Sequence, residues 1–404
     1  MRVLYVSHTG VVGGAEHSLL TLLEGLPPDV EPILASPPGA LHQRATVSGV
    51  RVIELRGTDG SFRLHPSRTV RALLDIARSA AQVRVIAHQT SADLIHANSV
   101  RAGLITVLAR ATGGPPTVVH VRDVLPQGRA ARAIRRVILR GARCTICISQ
   151  HVAYRFVLPG SRDAVVAVHN GVDLGLFDPD VHDRETMRES LGLTGQDQAM
   201  AVLAQITPWK GQDNAVAALA AILPTNPTAR LFLIGEAKFI SGDTRLDNRA
   251  FHTELIEQAQ RLGIDRAVEL LGERHDVPAL LHAMDIVLVP SLEEPFGRSV
   301  IEAMAMERAV IATNTGGPVE IIDHGVTGLL APPRDVEAWS RMIRKLLDDR
   351  ELRAVLGRRA RASLIGRFDQ SSHVTQIVGI YRAAINVDSS CGRGSATGAH
   401  QRPR

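Results

Sequence analysis

The 404-residue sequence predicts an α/β protein built as two successive parallel-sheet halves, and three observations carry that expectation. Short Val/Ile/Leu-rich runs of strand length alternate with longer Ala/Leu/Arg segments of helical period, the pattern of βα units around parallel sheets. The series of runs ends near residue 170 and begins afresh near residue 200. A chain of this length also exceeds one ordinary core, and its 45% hydrophobic content is enough to fill two.

Taken in order, Val3–Val6 opens the first series. Its apolar run stops at Val6 and a Gly-rich turn follows, so the N-terminus reads as a strand and not as a signal peptide. Gly13-Gly14-Ala15-Glu16 then opens a helix (EHSLLTLLEGL). Glycines there let a backbone approach a ligand closely, or merely tighten a strand-to-helix turn. Strand candidates continue at 32–35, 52–55, 94–97, 117–121, 144–148 and 165–169. Arg129–Ala142 has helical period, with Arg129, Arg132, Arg136 and Arg140 on one face and Ile134, Val137 and Ile138 opposite. Such a helix either packs its apolar stripe on the sheet or lies on anionic lipid. Cys144 and Cys147 have metal-like spacing, but three apart on a strand they point to opposite faces, and no second pair completes a site.

Asn170-Gly-Val-Asp173 and Phe177-Asp-Pro-Asp180 form a turn-rich linker. Asp178-Pro-Asp180 sits in that linker and not at the end of a central strand, so no metal site is expected there. The second series runs 200–205, 231–234, 268–271, 285–289 and 310–312, and a helix at 370–385 closes the fold. The expected units are therefore 1–172 and 173–369. The Gly/Ser/Arg-rich stretch 388–404 is expected to be a disordered tail.

A charged fraction of 22% is that of a globular protein, and the net charge of +5 favours anionic partners without choosing among them. Only 3% of residues are aromatic, so the basic residues lack the interleaved stacking platform of a nucleic-acid binder. Three cysteines give no disulfide framework. No apolar run approaches the ~20 residues that span a bilayer. A cytoplasmic protein, at most attached to the inner membrane face, is expected. No G-x-G-x-x-G follows the first strand, which speaks against a nicotinamide-dependent dehydrogenase.

The richest stretch is Pro290–Met304 (PSLEEPFGRSVIEAM), where a strand empties into a Pro/Gly loop that at once becomes a helix. Free N–H groups and the positive end of a helix dipole then lie at the carboxyl edge of a parallel sheet, where anionic ligands bind. Ser299-x-x-Glu302 also fits a capping box with no ligand at all. Pro208-Trp209-Lys210-Gly211 puts an ammonium after the first strand of the second half, which is either a solvated lysine or a cation for phosphate. His120, ending the 117–121 run, is either a satisfied strand-edge histidine or a cleft residue.

Glu294, seven residues, Glu302, with Phe296-Gly297 between and Ala303-Met304 after, resembles the E-x7-E motif of retaining glycosyltransferase family 4. That family has the GT-B fold, two Rossmann-like doubly wound domains with an interdomain cleft, and its terminal helix normally crosses back onto the first domain, which implies that 370–385 packs there. The resemblance runs from Arg2 to about Tyr381 and takes in Thr315-Gly-Gly-Pro-Val-Glu320 and Gly325-Val-Thr-Gly328. It implies transfer of a sugar from a nucleotide diphosphate sugar to a hydroxyl acceptor, lipid-linked acceptors included, with no cofactor and no metal. It also implies roles. Glu294 would meet the sugar hydroxyls and Glu302 the ribose. Lys210 would meet the diphosphate, as would Gly14 and the backbone of Phe296, Gly297, Arg298 and Ser299. His120 would lie near the sugar, and Gly13, Glu16 and Asp123 on the acceptor side. The sequence departs from the family at Ala204-Gln205, where an arginine is usual, so Gln205 would take that place in the donor site. Either Arg298 or another arginine substitutes there, or donor affinity falls. That departure is also the main support for a rival reading, a nucleotide-sugar or glycan-binding protein of the same fold without turnover.

Overall fold

A computed structural model describes residues 1–56, 66–161, 164–238 and 247–390. Two all-parallel sheets form. The first has seven strands in the order β3-β2-β1-β4-β5-β6-β7: β1 Arg2–Val6, β2 Glu31–Ser36, β3 Arg51–Glu54, β4 Leu94–Ala97, β5 Thr117–Val121, β6 Cys144–Cys147 and β7 Val165–Ala167. The second has six in the order β10-β9-β8-β11-β12-β13: β8 Gln198–Leu203, β9 Ala229–Ile234, β10 Val268–Gly272, β11 Ile286–Val289, β12 Ala309–Thr313 and β13 Leu329–Ala331. This is the GT-B arrangement of two Rossmann-like sheets.

The inner strands are buried on both faces, because helices cover both sides of each sheet, and so they read as continuous apolar runs in place of an alternation. β13 was not among the expected strands. It is only Leu-Leu-Ala, too short for a periodic signal, and its pairing of Ile311 with Leu329 fixes it as a sheet edge. Cys144 and Cys147 lie on β6, and burial pushes the Cys144 thiol up to about 11, so it behaves as a small hydrophobe. Asp178 caps the short turn Pro179–Val181 and lies 3.4 Å from Arg361, which commits it to the linker's own geometry.

The final helix, Gln370–Ser390, crosses back onto the first sheet. Val374, Ile377, Val378 and Tyr381 join Val3, Tyr5, Leu19, Leu22 and Val118 in one core cluster. Gln370 Nε2 donates to the Thr21 carbonyl at 2.6 Å and Arg382 pairs with Asp29 at 2.9 Å. The helix includes residues 388–390 of the expected tail, and 391–404 lie outside the described residues.

In both sheets the strand order reverses once, between β1 and β4 and between β8 and β11. The crevice outside the carboxyl ends of strands at such a reversal is where open α/β sheets bind ligands. Here the two crevices face one another across the gap between the domains.

Candidate active site in the interdomain cleft

The loops after these strands enclose one cavity of about 880 Å3. Gly13, Gly14, Glu16 and Asp123 line it from the first domain, and Gln205, Lys210, Glu294, Phe296, Gly297, Arg298, Ser299 and Glu302 from the second. Of the sequence-predicted residues only His120 is absent from its wall.

At the β8/β11 reversal two loops are held together by close packing. Gly211 takes φ of +71°, and a Cβ there would fall 2.0 Å from the Pro290 carbonyl, so only glycine lets the Lys210 loop seat against the end of β11. Lys210 Nζ then meets Glu294 Oε2 at 2.7 Å, and Ser291 Oγ donates to the same oxygen at 2.7 Å. The ammonium also lies 4.1 Å above the Trp209 ring, a cation–π contact that fixes its direction. Glu294 is 6% exposed and its backbone is clasped by Gly316 and Gly317, so the carboxylate is positioned by rigid elements.

The helix Arg298–Ala305 begins after Gly297, at φ of +108°, with no side chain capping its N-terminus. The Ser299–Glu302 capping box does not form. The left-handed glycine starts the helix two residues before Ser299, leaving Glu302 a full turn inside. Glu302 instead pairs with Arg298, whose other amino group reaches across the cleft to the Gly14 carbonyl at 3.1 Å. Half of a capping box lies opposite: Glu16 Oε2 accepts from Gly13 N–H at 3.1 Å and stabilises the start of the helix Gly14–Glu24, while Gly13 has no side chain to return the bond. Burial raises the Glu16 pKa against those backbone hydrogen bonds. The Phe296 ring packs beside those of His169 and Phe368, at 5.8 and 6.2 Å between centroids. Gln205 accepts from Gln212 Nε2 through its carbonyl, and its side chain brings no charge.

The domains touch through further polar contacts. Lys238 Nζ donates to the Val12 carbonyl at 2.8 Å while pairing with Glu273. Glu320 accepts from the N–H groups of Gln150 and His151 at 2.8 Å each, and its Oε2 lies 2.7 Å from His169 Nε2. Burial opposes its ionisation, yet these hydrogen bonds prevail and hold Glu320 below the usual carboxylate range.

His120 is corrected in its placement. It is 0% exposed and sits under the returning helix, its ring 5.3 Å from that of His96 and 6.3 Å from that of His373. Burial holds all three histidines well below their ordinary pKa, His373 at about 4. They fold neutral, whereas the unfolded chain takes up protons below about pH 6.5. Stability is therefore complete above that pH and is lost as pH falls toward the folded-state values, by about 1.4 kcal/mol per pH unit for each histidine. Urea midpoints at about pH 7.5 and about pH 5.5 should differ accordingly, and His120→Leu should narrow the gap.

Sequence reasoning missed Arg122, Asn170, His8, His17 and the loops after β9 and β10, all of which line the cavity. Position alone could have found them, since each follows the carboxyl end of a strand or faces one.

Residues 12–176 match the family described as Glycosyltransferase Family 4, and residues 183–363 the one described as Glycosyl transferases group 1. The D-inositol 3-phosphate glycosyltransferase of Saccharomonospora viridis is 30% identical over 310 residues, covering 72% of this chain and 70% of the relative. The UDP-Gal:alpha-D-GlcNAc-diphosphoundecaprenol alpha-1,3-galactosyltransferase of Escherichia coli is 23% identical over 303 residues, covering 72% and 75%. Among solved structures, Anabaena HepE in complex with UDP and glucose superimposes with a TM-score of 0.82 at 27% identity, over 95% of this chain and all of that one. With the cleft, the two sheets and both halves of the sequence in agreement, the chain belongs to glycosyltransferase family 4.

Proposed function

We propose that the protein transfers a hexosyl group from a uridine diphosphate sugar to an acceptor hydroxyl with retention of anomeric configuration. The observation that carries this reading is the convergence of Lys210, Glu294 and an uncapped helix N-terminus at one crevice. Anabaena HepE, of the same fold, has been crystallised with UDP-glucose, which favours a uridine nucleotide as the donor.

In this reading the diphosphate lies between Lys210 and the N-terminus of the helix Arg298–Ala305. The acceptor oxygen attacks the anomeric carbon on the face that the phosphate leaves. The carbon–oxygen bond to phosphate breaks, the new glycosidic bond forms, and a phosphate oxygen takes the acceptor's proton. Lys210, Arg298 and the helix dipole stabilise the negative charge that grows on the departing UDP, and no metal is assigned to that task. Glu294 orients the sugar and Glu302 the ribose. UDP-, GDP- and ADP-sugars should be compared by nucleotide release with mixed glycan and glycolipid acceptors, and product anomers read by NMR. Release of UDP with a retained anomer is expected. Tight UDP-sugar binding without release for any acceptor would favour the binding-protein reading.

A membrane-presented acceptor is the second part of the proposal. Between Asp123 and Asp163 the sequence holds no carboxylate. Arg129, Arg132, Arg136 and Arg140 stand exposed on one face of the helix Arg129–Gly141, with Val137 47% exposed beside them. The helix follows the loop carrying Asp123 in the chain, so a bilayer held against it would bring headgroup-linked acceptors toward the cleft. Among the described residues no helix is long and apolar enough to cross a membrane, and electrostatic attachment is worth about 1 kcal/mol per basic residue. Co-sedimentation with anionic vesicles should fall sharply on Arg132→Glu with Arg136→Glu. Binding unchanged by that pair would end the idea.

A further inference from the structure

Arg122 immediately follows β5, at the carboxyl end of the strand, and forms part of the cavity wall while only 4% exposed. Its Nε donates to Asn98 Oδ1 at 2.7 Å and its Nη1 to Asn170 Oδ1 at 3.1 Å. Nη2 is enclosed and has no acceptor. Among the described residues no carboxylate comes within ion-pair distance of it. The nearest acids act on it only through space, and Glu16 is already committed to the Gly13 N–H. Three neutral histidines fill the region behind it.

A buried guanidinium held by two neutral amides is costly, because its desolvation is not offset by an opposite charge. Stability alone gives no reason to keep it. Arg–carboxylate and Arg–phosphate geometry, by contrast, is the strongest recognition this side chain offers. The second domain has already committed its cations to carboxylates: Lys210 to Glu294, Lys238 to Glu273 and Arg298 to Glu302. Among the described residues Arg122 is the buried cavity cation whose hydrogen bonds go to neutral groups, whereas Arg44, also on the first-domain wall, is not buried.

We propose that Arg122, oriented by Asn98 and Asn170, holds an anionic group of the substrate from the first-domain side of the cleft. This rests on the reading of the cleft as the donor site and adds a residue that reading did not contain. The anion is phosphate or carboxylate. It is the donor's diphosphate, an acidic substituent on the donor sugar or one on the acceptor, and these three sources give different results.

The test uses the full chain with Arg122→Met and Arg122→Gln, read by thermal melting and by calorimetric titration with UDP, a UDP-hexose and a UDP-hexuronate. Removing an uncompensated buried charge should leave the melting temperature of the empty protein unchanged or raised, while anion binding weakens about 10- to 100-fold. If the diphosphate is the anion, all three ligands weaken alike. If it is a sugar carboxylate, UDP is unaffected and only the uronate donor loses affinity. If it belongs to the acceptor, UDP binding holds and KM rises for sugar-phosphate acceptors but not for neutral ones. A lowered melting temperature with wild-type affinities and KM values would make Arg122 a strut and overturn the proposal. Should either variant fail to fold, Arg122→Lys decides: it keeps the charge but cannot span both asparagines and an anion, so anion affinity should fall part way, and wild-type affinity would overturn the proposal. Failure of the wild-type protein to bind UDP would instead strike the donor-site reading.

Discussion

Lys210→Ala should lower kcat by about 10²–10³-fold, the loss seen when one preorganised group is withdrawn from developing negative charge. The side chain is 17% exposed and lies between the Glu294 carboxylate and the Trp209 ring, so its ammonium is already aimed before any ligand arrives. Such a group costs no reorganisation during the reaction. Its removal also leaves Glu294, 8% exposed at the side chain, with Ser291 as its remaining side-chain partner. Breaking a buried pair in this way costs about 3–5 kcal/mol at most, so part of any activity loss could be a folding loss. Lys210→Ala with Glu294→Gln separates the two. The double variant should regain most of the stability and none of the rate. Single-turnover rates measured well below the melting transition check this, and a kcat within about threefold of wild type would remove Lys210 from the chemistry.

Glu302→Gln should erase the thermal shift that UDP produces in the wild-type protein. A carboxylate that accepts from ribose hydroxyls contributes charge-assisted hydrogen bonds of about 1.5–3 kcal/mol, equivalent to about 10- to 150-fold in Kd. Glu302 is 7% exposed and paired with Arg298, so the substitution also releases that arginine. Pyrophosphate, which has no ribose, should therefore bind at least as well to the variant as to the wild type. Uridine and UDP should both weaken. Equal weakening of pyrophosphate and UDP would mean that Glu302 acts through Arg298 and not through the sugar of the nucleotide.

Much of this site was legible because parallel strands announce themselves. Buried on both faces, β11 and its neighbours read as unbroken apolar runs, and whatever follows such a run must lie at the carboxyl edge of a sheet. That put Lys210, Glu294 and Glu302 at a sheet edge, and the resemblance to glycosyltransferase family 4 gave them a ligand there. The fine structure of the turn was less legible. Ser299-x-x-Glu302 satisfies the capping-box pattern, but the positive φ of Gly297 begins the helix earlier, and no periodicity reports a backbone angle. His120 and Arg122 show the other limit. They lie two residues apart at the end of one strand, and local sequence treats them as equally placed. Which one reaches the cavity is decided by a helix from residue 370 onward, whose His373 and Tyr381 close over the histidines. That contact spans more than 250 positions. β13 was missed for a simpler reason, since three residues carry too little pattern.

The most direct test is a crystal structure with UDP bound. Its diphosphate oxygens should lie within about 3.2 Å of Lys210 Nζ and of the first N–H groups of the helix Arg298–Ala305, with the ribose hydroxyls on Glu302. UDP found outside the cleft, or in it with the phosphates turned away from Lys210, would contradict the assignment of this crevice as the donor site.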